Sequence, residues 1–255
     1  MNKKKLFIFD LDGTVLIPGQ EPYAKLPDQF SKFLDSISKD GWMWGINSTW
    51  DVNGQWHLVL VSNVKSRPSF LIGEMGLRIV RVKKSCLEFI QPYTRDMERK
   101  VQEIIEKELY PLMRRICSKF NPAKMYFYGH MFHFIAGEKE KEKFDDFIGE
   151  INVKNFVVKK GNGSLVAYPS ILNKGEPVRE LMRITGLSPE QIVVAGDEPA
   201  DIQMMEPSVS RHPICPYNAS EEVKRHIKAV GGITSTYPYA QGVMEAFTSI
   251  WKHQE

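Results

Sequence analysis

Short apolar runs that end in polar turns recur near both ends of the chain. Residues 6–9, 42–46 and 192–195 are almost entirely apolar, as expected for strands buried on both faces of a parallel sheet. Apolar residues at helical spacing precede Gly41 and Gly186, which predicts amphipathic helices that end at these glycines. Strand and helix therefore alternate, and this order predicts an α/β fold with a Rossmann-like, doubly wound parallel sheet.

The middle of the chain has a different pattern. Apolar residues at helical spacing predict a helix over 94–117, in which Pro111 should cause a kink or a break. Another helix is expected to begin in the charged run 138–143. Short apolar segments around it predict four strands, at 125–128, 131–135, 156–158 and 165–167. This order is typical of a small α+β unit with an antiparallel sheet.

The two patterns predict one domain inserted into another. Residues 1–83 and 164–255 would form a discontinuous α/β core, and residues 84–163 an inserted α+β domain. Within the core, the segment 56–64 fits a strand and a helix equally well.

Composition and charge narrow the class of protein. The 34 Lys and Arg residues against 31 Asp and Glu give a net charge of +3, too small to indicate nucleic-acid binding. The three cysteines are an odd number without paired spacing, which argues against a disulfide scaffold and a zinc finger. The basic start is followed by an apolar run too short for a signal peptide, and no segment is long enough to span a bilayer. We therefore expect a soluble, cytoplasmic protein.

Two of the predicted strand ends carry acidic pairs. Asp10 and Asp12 follow the first strand and can face one site, because alternate residues of an extended segment point the same way. Asp197 and Asp201 follow a later strand and share a face if a helical turn begins there. Ligands bind at the carboxyl ends of such strands, and converging carboxylates with room for water suit Mg²⁺. A turn with a helix cap is the alternative interpretation for Asp10 and Asp12. For Asp201 the alternative is stronger, because a role in supporting the site from behind or in starting a helix fits this residue equally well.

Several segments resemble signatures of the haloacid dehalogenase superfamily of phosphatases. Residues 7–15, Phe-Ile-Phe-Asp-Leu-Asp-Gly-Thr-Val, resemble the first signature, and residues 193–202 resemble the last, Gly-Asp-x-x-x-Asp. Lys174 before a helix resembles the third, and Ser48 lies where the family has its Ser or Thr. Residues 216–224 and the inserted middle resemble the Cof-like, sugar-phosphatase branch, whose small cap domain is of the C2B type.

The resemblance implies a mechanism and a cofactor. Asp10 would attack phosphorus to form an aspartyl-phosphate, and Asp12 would act as general acid and then general base. Lys174 would bind the phosphoryl group together with Ser48 or Thr49. Mg²⁺ would be held by Asp10, the carbonyl of Asp12, Asp197 and Asp201. The expected function is a Mg²⁺-dependent phosphatase acting on a small phosphorylated metabolite, most plausibly a sugar phosphate, with a cap that selects the substrate.

Two positions depart from the pattern of that branch. The branch usually has Thr-Gly-Arg at its second signature, where this chain has Asn47-Ser48-Thr49-Trp50, so Asn47, Ser48 and Thr49 are all candidates to contact phosphate. The branch often has Asn where this chain has Ala200, so a contact near the metal is missing or is supplied by Glu198.

Other interpretations stay open. A phosphomutase on the same scaffold would transfer the phosphoryl group to another sugar, and a non-catalytic protein would only bind the phosphometabolite. Trp50 is a candidate to stack on a sugar, and the turns at 129–133 and 161–163 are candidates to touch substrate. The pair His130 and His133 has metal-ligand spacing, but a turn between two strands is the preferred interpretation.

Overall fold

The computed structural model describes residues 5–20, 23–84, 86–151 and 153–252. The strands are β1 (Lys5–Phe9), β2 (Trp42–Asn47), β3 (Phe70–Gly73), β4 (Arg78–Val82), β5 (Leu87–Phe89), β6 (Pro122–Phe127), β7 (Phe132–Ala136), β8 (Phe156–Gly161), β9 (Ser164–Pro169), β10 (Ile192–Ala195), β11 (His212–Cys215) and β12 (Ile233–Thr234). The helices are α1 (Asp28–Lys39), α2 (Val52–Val61), α3 (Tyr93–Ile104), α4 (Tyr110–Cys117), α5 (Lys141–Gly149), α6 (Gly175–Thr185), α7 (Glu221–Ala229) and α8 (Tyr239–Lys252).

The larger structural unit consists of Met1–Thr94 and Asn173–Glu255. Its sheet has the strand order β12-β11-β10-β1-β2-β3-β4-β5. All neighbouring strands from β12 to β3 are parallel, whereas β4 and β5 are added antiparallel at one edge. The predicted α/β fold with a mostly parallel sheet is therefore confirmed.

β1 lies in the centre of this sheet and is buried on both faces. Phe7 and Phe9 pack into one hydrophobic core, whereas Leu6 and Ile8 pack into the other. Alternate side chains of a strand point to opposite faces, so a strand with a core on each side needs apolar residues at every position. This placement explains the continuous apolar run, and it puts Asp10 at the carboxyl edge of the sheet.

The helices of this unit follow the sequence signals. α6 ends at Gly186, whose φ of 73° is the left-handed conformation that glycine adopts without strain. Of the segment 56–64, whose pattern fits both a strand and a helix, residues 56–61 belong to α2. Asp51 caps this helix, and its carboxylate accepts hydrogen bonds from Asn53 N and Gly54 N.

The second structural unit, Arg95–Leu172, contains the antiparallel sheet β6-β7-β9-β8. The predicted strand pairs and the helix between them are confirmed. Both limits of the unit lie C-terminal to residues 84 and 163, because β5 pairs with β4 in the large sheet and β9 pairs with β7 and β8 in the small one.

The long helix expected over 94–117 is divided, as Pro111 predicts. A π-helical turn at Ile105–Leu109 joins α3 to α4, so the irregularity precedes Pro111. Pro111 occupies the first turn of α4, and the π-helical turn lies just where a proline ring would clash with the preceding turn of a regular helix. Among the helices in the described ranges, none combines the length and the apolar character needed to cross a membrane.

Candidate active site

A tight turn after β1 holds the first acidic pair. Leu11 O accepts hydrogen bonds from Val15 N and Leu16 N, both at 2.9 Å, and Gly13 N donates to Leu16 O at the same distance. The strand itself stays in register with β10 as far as Asp10, whose N donates to Ala195 O at 3.0 Å. Asp10 and Asp12 are therefore fixed at the carboxyl edge of the sheet.

The second acidic pair lies in the loop after β10. Asp201 belongs to a 3-10 turn, Pro199–Met204, and folds back over the start of its own loop. Its Oδ2 accepts hydrogen bonds from Asp197 N at 2.9 Å and Glu198 N at 3.0 Å. A Cβ on Gly196 would lie 2.4 Å from Asp201 Cβ, so only glycine fits beneath this side chain.

Lys174 joins the two acidic loops. Its Nζ lies 2.7 Å from Asp10 Oδ1 and 2.6 Å from Asp201 Oδ1, and the side chain is 3% exposed. The backbone of Lys174 is held from the opposite side, because Asn47 Nδ2 donates to its carbonyl oxygen at 2.9 Å. Residues that are far apart in sequence thus form one buried charge cluster.

Burial dominates the electrostatics of this cluster. It raises the pKa of Asp10 to about 8, although the charge of Lys174 opposes the shift. It raises the pKa of Asp197 to about 7, although the hydroxyl of Thr14 donates to Asp197 Oδ1 at 2.7 Å and opposes this shift. Burial lowers the pKa of Lys174, but the carboxylates of Asp10 and Asp201 outweigh it and hold this pKa above its usual value.

The acidic cluster fits a hard divalent cation. One carboxylate oxygen each from Asp10, Asp197 and Asp201 lie within 4.8 Å of one another, and all three residues are buried. Lys174 supplies one positive charge against three carboxylates, so a cation would relieve the remaining repulsion. Both oxygens of Asp201 already have partners, in Lys174 Nζ and two backbone N–H groups. Asp10 and Asp197 are therefore better placed than Asp201 to bind a cation directly.

The carboxylate of Asp12 lies outside this cluster. Its Oδ2 accepts a hydrogen bond from the indole Nε1 of Trp50 at 2.6 Å. Its Oδ1 is buried and has no hydrogen-bond partner in the described part of the chain. Asp12 thus has one carboxylate oxygen held by the protein and one without a partner, and its carboxylate is not part of the acidic cluster. Trp50 is 5% exposed, so its ring is not an open stacking surface.

The three candidates for phosphate binding are in different surroundings. Asn47 uses its amide N–H on Lys174 O, and its Oδ1 can only accept hydrogen bonds. Ser48 is fully buried, and its Oγ accepts from Trp50 N at 3.3 Å, which leaves its O–H free to donate. Thr49 is exposed. The geometry favours the Ser48 hydroxyl among the three.

Comparisons with known proteins agree with this arrangement. Residues 91–247, more than half of the chain, match the family model of haloacid dehalogenase-like hydrolases. The chain belongs to the haloacid dehalogenase-like hydrolase family. The matched segment contains Lys174, Asp197 and Asp201, whereas Asp10 and Asp12 precede it. A search of curated proteins gave no significant match.

Solved structures of several proteins resemble the whole chain of this haloacid dehalogenase-like hydrolase. The sucrose-phosphatase of Synechocystis sp., in complex with sucrose and phosphate, has 16% identity and a TM-score of 0.63, covering 96% of this chain and 97% of that one. A Thermoplasma acidophilum protein has 16% identity, a TM-score of 0.65 and the same coverage. A Thermotoga maritima protein has 17% identity and a TM-score of 0.62, covering 95% and 96%. At these identities the likeness establishes the fold.

Some contacts in the site of this hydrolase were not predicted from its sequence. Thr14 belongs to the first signature segment, but its hydrogen bond to Asp197 joins two loops that the sequence does not connect. Asn218 Nδ2 donates to Gly13 O at 2.7 Å, and the Asn218 side chain also accepts from Tyr239 N at 2.8 Å. Asn218 lies in the segment 216–224, and the resemblance of this segment to the Cof-like branch is the sequence feature that pointed to it. The partners of Asn47 and Trp50 had no signal in the sequence.

Glu198 does not reach the acidic cluster of the hydrolase. It is exposed, and its side chain caps the 3-10 turn by accepting from the backbone of Asp201. Ala200 lies half-buried in the same turn. The Glu198 carboxylate is therefore engaged in the local turn.

The candidates in the smaller unit have local structural roles. Asn162 and Gly163 have φ of 43° and 76° and form the hairpin turn between β8 and β9, where Gly163 N donates to the Asp145 carboxylate. His130 is buried in the β6–β7 turn, with its Nδ1 3.1 Å from Tyr128 O. The ring of His133 packs against Tyr126. Within the described ranges, the acidic cluster is the one group of three metal-ligating residues found close together.

Proposed function

We propose that this chain is a Mg²⁺-dependent phosphatase that hydrolyses a small phosphorylated metabolite, with a sugar phosphate as the favoured substrate. The observation that carries the proposal is the position of Lys174 Nζ between Asp10 and Asp201, next to Asp197. This arrangement combines a carboxylate nucleophile, a fixed positive charge and a cation site at one sheet edge. Attack by an anion on an anionic phosphoryl group requires this concentration of positive charge.

In the first step, a carboxylate oxygen of Asp10 forms a bond to phosphorus while the bond from phosphorus to the leaving oxygen breaks. Asp12 gives its proton to the leaving oxygen, which departs as an alcohol. Lys174 and the Ser48 hydroxyl stabilise the negative charge on the phosphoryl oxygens. Lys174 also orients the nucleophile, because it holds Asp10 Oδ1 at 2.7 Å.

In the second step, the Asp12 carboxylate takes a proton from a water molecule whose oxygen bonds to phosphorus. The bond between phosphorus and the Asp10 oxygen breaks, and its electron pair returns to the carboxylate. Inorganic phosphate is released, and both aspartates regain their starting states. Splitting one slow hydrolysis into two steps is the benefit of the covalent route.

Asp10 and Asp197 would hold Mg²⁺ together with the backbone carbonyl of Asp12, and Asp201 would keep Lys174 and the loop after β10 in place. Bound there, the ion would neutralise part of the charge of the transferring phosphoryl group. The donor set fits Mg²⁺ because it consists of hard oxygen atoms, few in number.

The sugar phosphate is proposed on narrower grounds. The Cof-like resemblance and the fold shared with a sucrose-phosphatase support this substrate class. We also propose that the inserted unit selects the substrate, since the residues that we assign to chemistry lie in the larger unit. A panel of phosphorylated metabolites screened with the purified protein would identify the substrate.

The test of the reaction is hydrolysis of p-nitrophenyl phosphate with Mg²⁺ and with EDTA, in the wild type and in Asp10→Asn. We expect the wild type to be active with Mg²⁺ and inactive with EDTA, and Asp10→Asn to be inactive in both. Asp40→Asn, which changes an exposed aspartate, is the control and should keep full activity with Mg²⁺. Hydrolysis that survives both EDTA and Asp10→Asn would refute the proposal. Turnover that requires a bisphosphate and releases little phosphate would indicate a mutase. Ligand binding without an aspartyl-phosphate would indicate a binding protein.

A further inference from the structure

Trp50 makes a direct contact with the proposed acid–base residue. Its indole N–H donates to Asp12 Oδ2 at 2.6 Å, and its side chain is almost fully buried. The second oxygen of Asp12, Oδ1, is buried without a partner in the described part of the chain. A buried indole N–H has one hydrogen to donate and no capacity to accept, so the contact assigns different roles to the two carboxyl oxygens.

The frame around Trp50 is rigid. Its backbone carbonyl accepts from Glu74 N at 3.1 Å and from Gln55 Nε2 at 3.0 Å. The Gln55 side chain is fully buried and also donates to Ile72 O at 2.8 Å, so it ties Trp50 to the end of β3. The backbone N–H of Trp50 donates to Ser48 Oγ. An aromatic side chain has only two torsions, and the burial of the Trp50 ring, together with its fixed backbone, restricts both and so fixes the position of the indole N–H.

The carboxylate of Asp12 is held by fewer contacts than Trp50. The turn around it is held by backbone hydrogen bonds, but its side chain is free of Lys174, which pairs with Asp10 and Asp201. The indole is thus the contact that sets the torsion of the Asp12 carboxyl group among the described residues. Placement errors of about 1 Å in a catalytic group cost on the order of 10²-fold in rate.

We infer that Trp50 is a positioning residue for Asp12: by holding Oδ2 it makes Oδ1 the oxygen that exchanges the proton with the substrate. This inference rests on the proposed function. In the first step, the proton on Asp12 Oδ1 goes to the leaving oxygen as its bond to phosphorus breaks and the Asp10–phosphorus bond forms. In the second step, the same Oδ1 receives a proton from the attacking water as the Asp10–phosphorus bond breaks.

The test compares two leaving groups in Trp50→Phe, which removes the N–H and keeps an aromatic ring. p-Nitrophenolate is a weak base and leaves with little help from an acid, whereas the alkoxide of an alkyl phosphate must be protonated. We use kcat/KM, because it reports the steps up to formation of the aspartyl-phosphate. The alkyl substrate is the member of the metabolite panel that the wild type hydrolyses fastest.

We expect Trp50→Phe to lower kcat/KM for the alkyl phosphate on the order of 10²-fold, and that for p-nitrophenyl phosphate several-fold at most. In an Asp12→Asn background, Trp50→Phe should leave the ratio of kcat/KM for the alkyl phosphate to kcat/KM for p-nitrophenyl phosphate unchanged. The control is Trp44→Phe, which removes the indole N–H of another buried tryptophan; Trp44 lies in β2, and its Nε1 donates to Ser66 Oγ. It should leave the ratio at its wild-type value.

An equal loss on both substrates would mean that Trp50 only supports the structure, and it would overturn the inference while leaving the proposed function intact. A wild type that hydrolyses neither substrate would overturn both. If Trp50→Phe does not fold, incorporation of benzothienylalanine at position 50 removes the N–H with almost no change in shape. The ratio of kcat/KM for the two substrates in that protein then distinguishes a positioning role of Trp50 from a purely structural one.

Nuclear magnetic resonance tests the contact without relying on activity. The indole proton of Trp50 is assigned in a ¹⁵N-labelled sample by its loss in Trp50→Phe. Its resonance should move in Asp12→Asn, whereas the Trp44 indole resonance should stay in place. An unchanged Trp50 resonance would overturn the inference.

Discussion

Gly13 lies directly against the carboxylate of Asp197. A Cβ on Gly13 would stand 2.2 Å from Asp197 Oδ2, and the φ of Gly13 is +81°. The absence of a side chain at this position therefore allows the loops after β1 and β10 to meet. Since Asp10 and Asp197 belong to these two loops, their approach determines whether a cation site can form.

Gly13→Ala should remove Mg²⁺ binding as well as some stability. The left-handed backbone costs an alanine about 1–2 kcal/mol, and the new methyl group would displace Asp197. Gly19→Ala is the matched control, because Gly19 has φ of +82° and nothing within 4 Å of its Cβ position. Urea unfolding with and without Mg²⁺ measures both effects. A Gly13→Ala protein that keeps the Mg²⁺-induced stabilisation of the wild type would contradict this account.

Lys174→Met should destabilise the Mg²⁺-free protein strongly at pH 9. At that pH Asp10 of the wild type is ionised, since its pKa is about 8 with Lys174 beside it, and removal of one partner from a buried ion pair costs about 3–5 kcal/mol. At pH 6 the loss should be smaller, because a protonated Asp10 needs no counter-charge. Urea denaturation in EDTA gives the free energies of unfolding. Lys83→Met, which breaks the exposed pair with Glu88, should change stability by less than about 1 kcal/mol.

Mg²⁺ should stabilise the protein more at pH 9 than at pH 6. Asp10 and Asp197 have pKa values raised to about 8 and about 7, so at pH 6 protons compete with the metal for both carboxylates. In the Mg²⁺-free protein these two groups bind more protons when folded than when unfolded, so their contribution to stability falls as pH rises through this range. Melting temperatures with and without Mg²⁺ across pH 6–9 provide the measurement. Asp197→Asn should abolish the response to Mg²⁺, and a response independent of pH would contradict the prediction.

Ser48→Ala should lower kcat/KM for phosphate esters, whereas Thr49→Ala should change it little. Ser48 is buried between Asn47, which contacts Lys174, and Trp50, which contacts Asp12, and its Oγ accepts from Trp50 N and keeps its proton to donate. Thr49 is exposed. A hydrogen bond to a charged group contributes about 1.5–3 kcal/mol, which corresponds to roughly a 10-fold loss or more. Steady-state kinetics with p-nitrophenyl phosphate distinguishes the two hydroxyls. A larger loss in Thr49→Ala would assign the phosphate contact to Thr49 instead.

Much of the fold could be predicted from local patterns. The limits of β10 coincide with the predicted strand, α6 ends at the predicted glycine, and β1 is buried on both faces as its apolar run indicated. The segment that became α2 resisted prediction because it is apolar on both sides, so that Leu58 is buried while Leu60 is exposed. In such a segment the position of apolar residues does not distinguish a helix from a strand.

The sequence by itself determined which residue types stand at the strand ends, because each strand and its following turn are short-range features that depend on neighbouring residues. It therefore indicated Asp10, Asp12, Lys174 and the later acidic pair as candidates. Only the tertiary structure decided which oxygen faces which partner: Lys174 between Asp10 and Asp201, and Trp50 on Asp12 rather than on a ligand. These contacts arise where loops from separate strands meet, and their geometry depends on the register and packing of the whole sheet, which no local pattern contains.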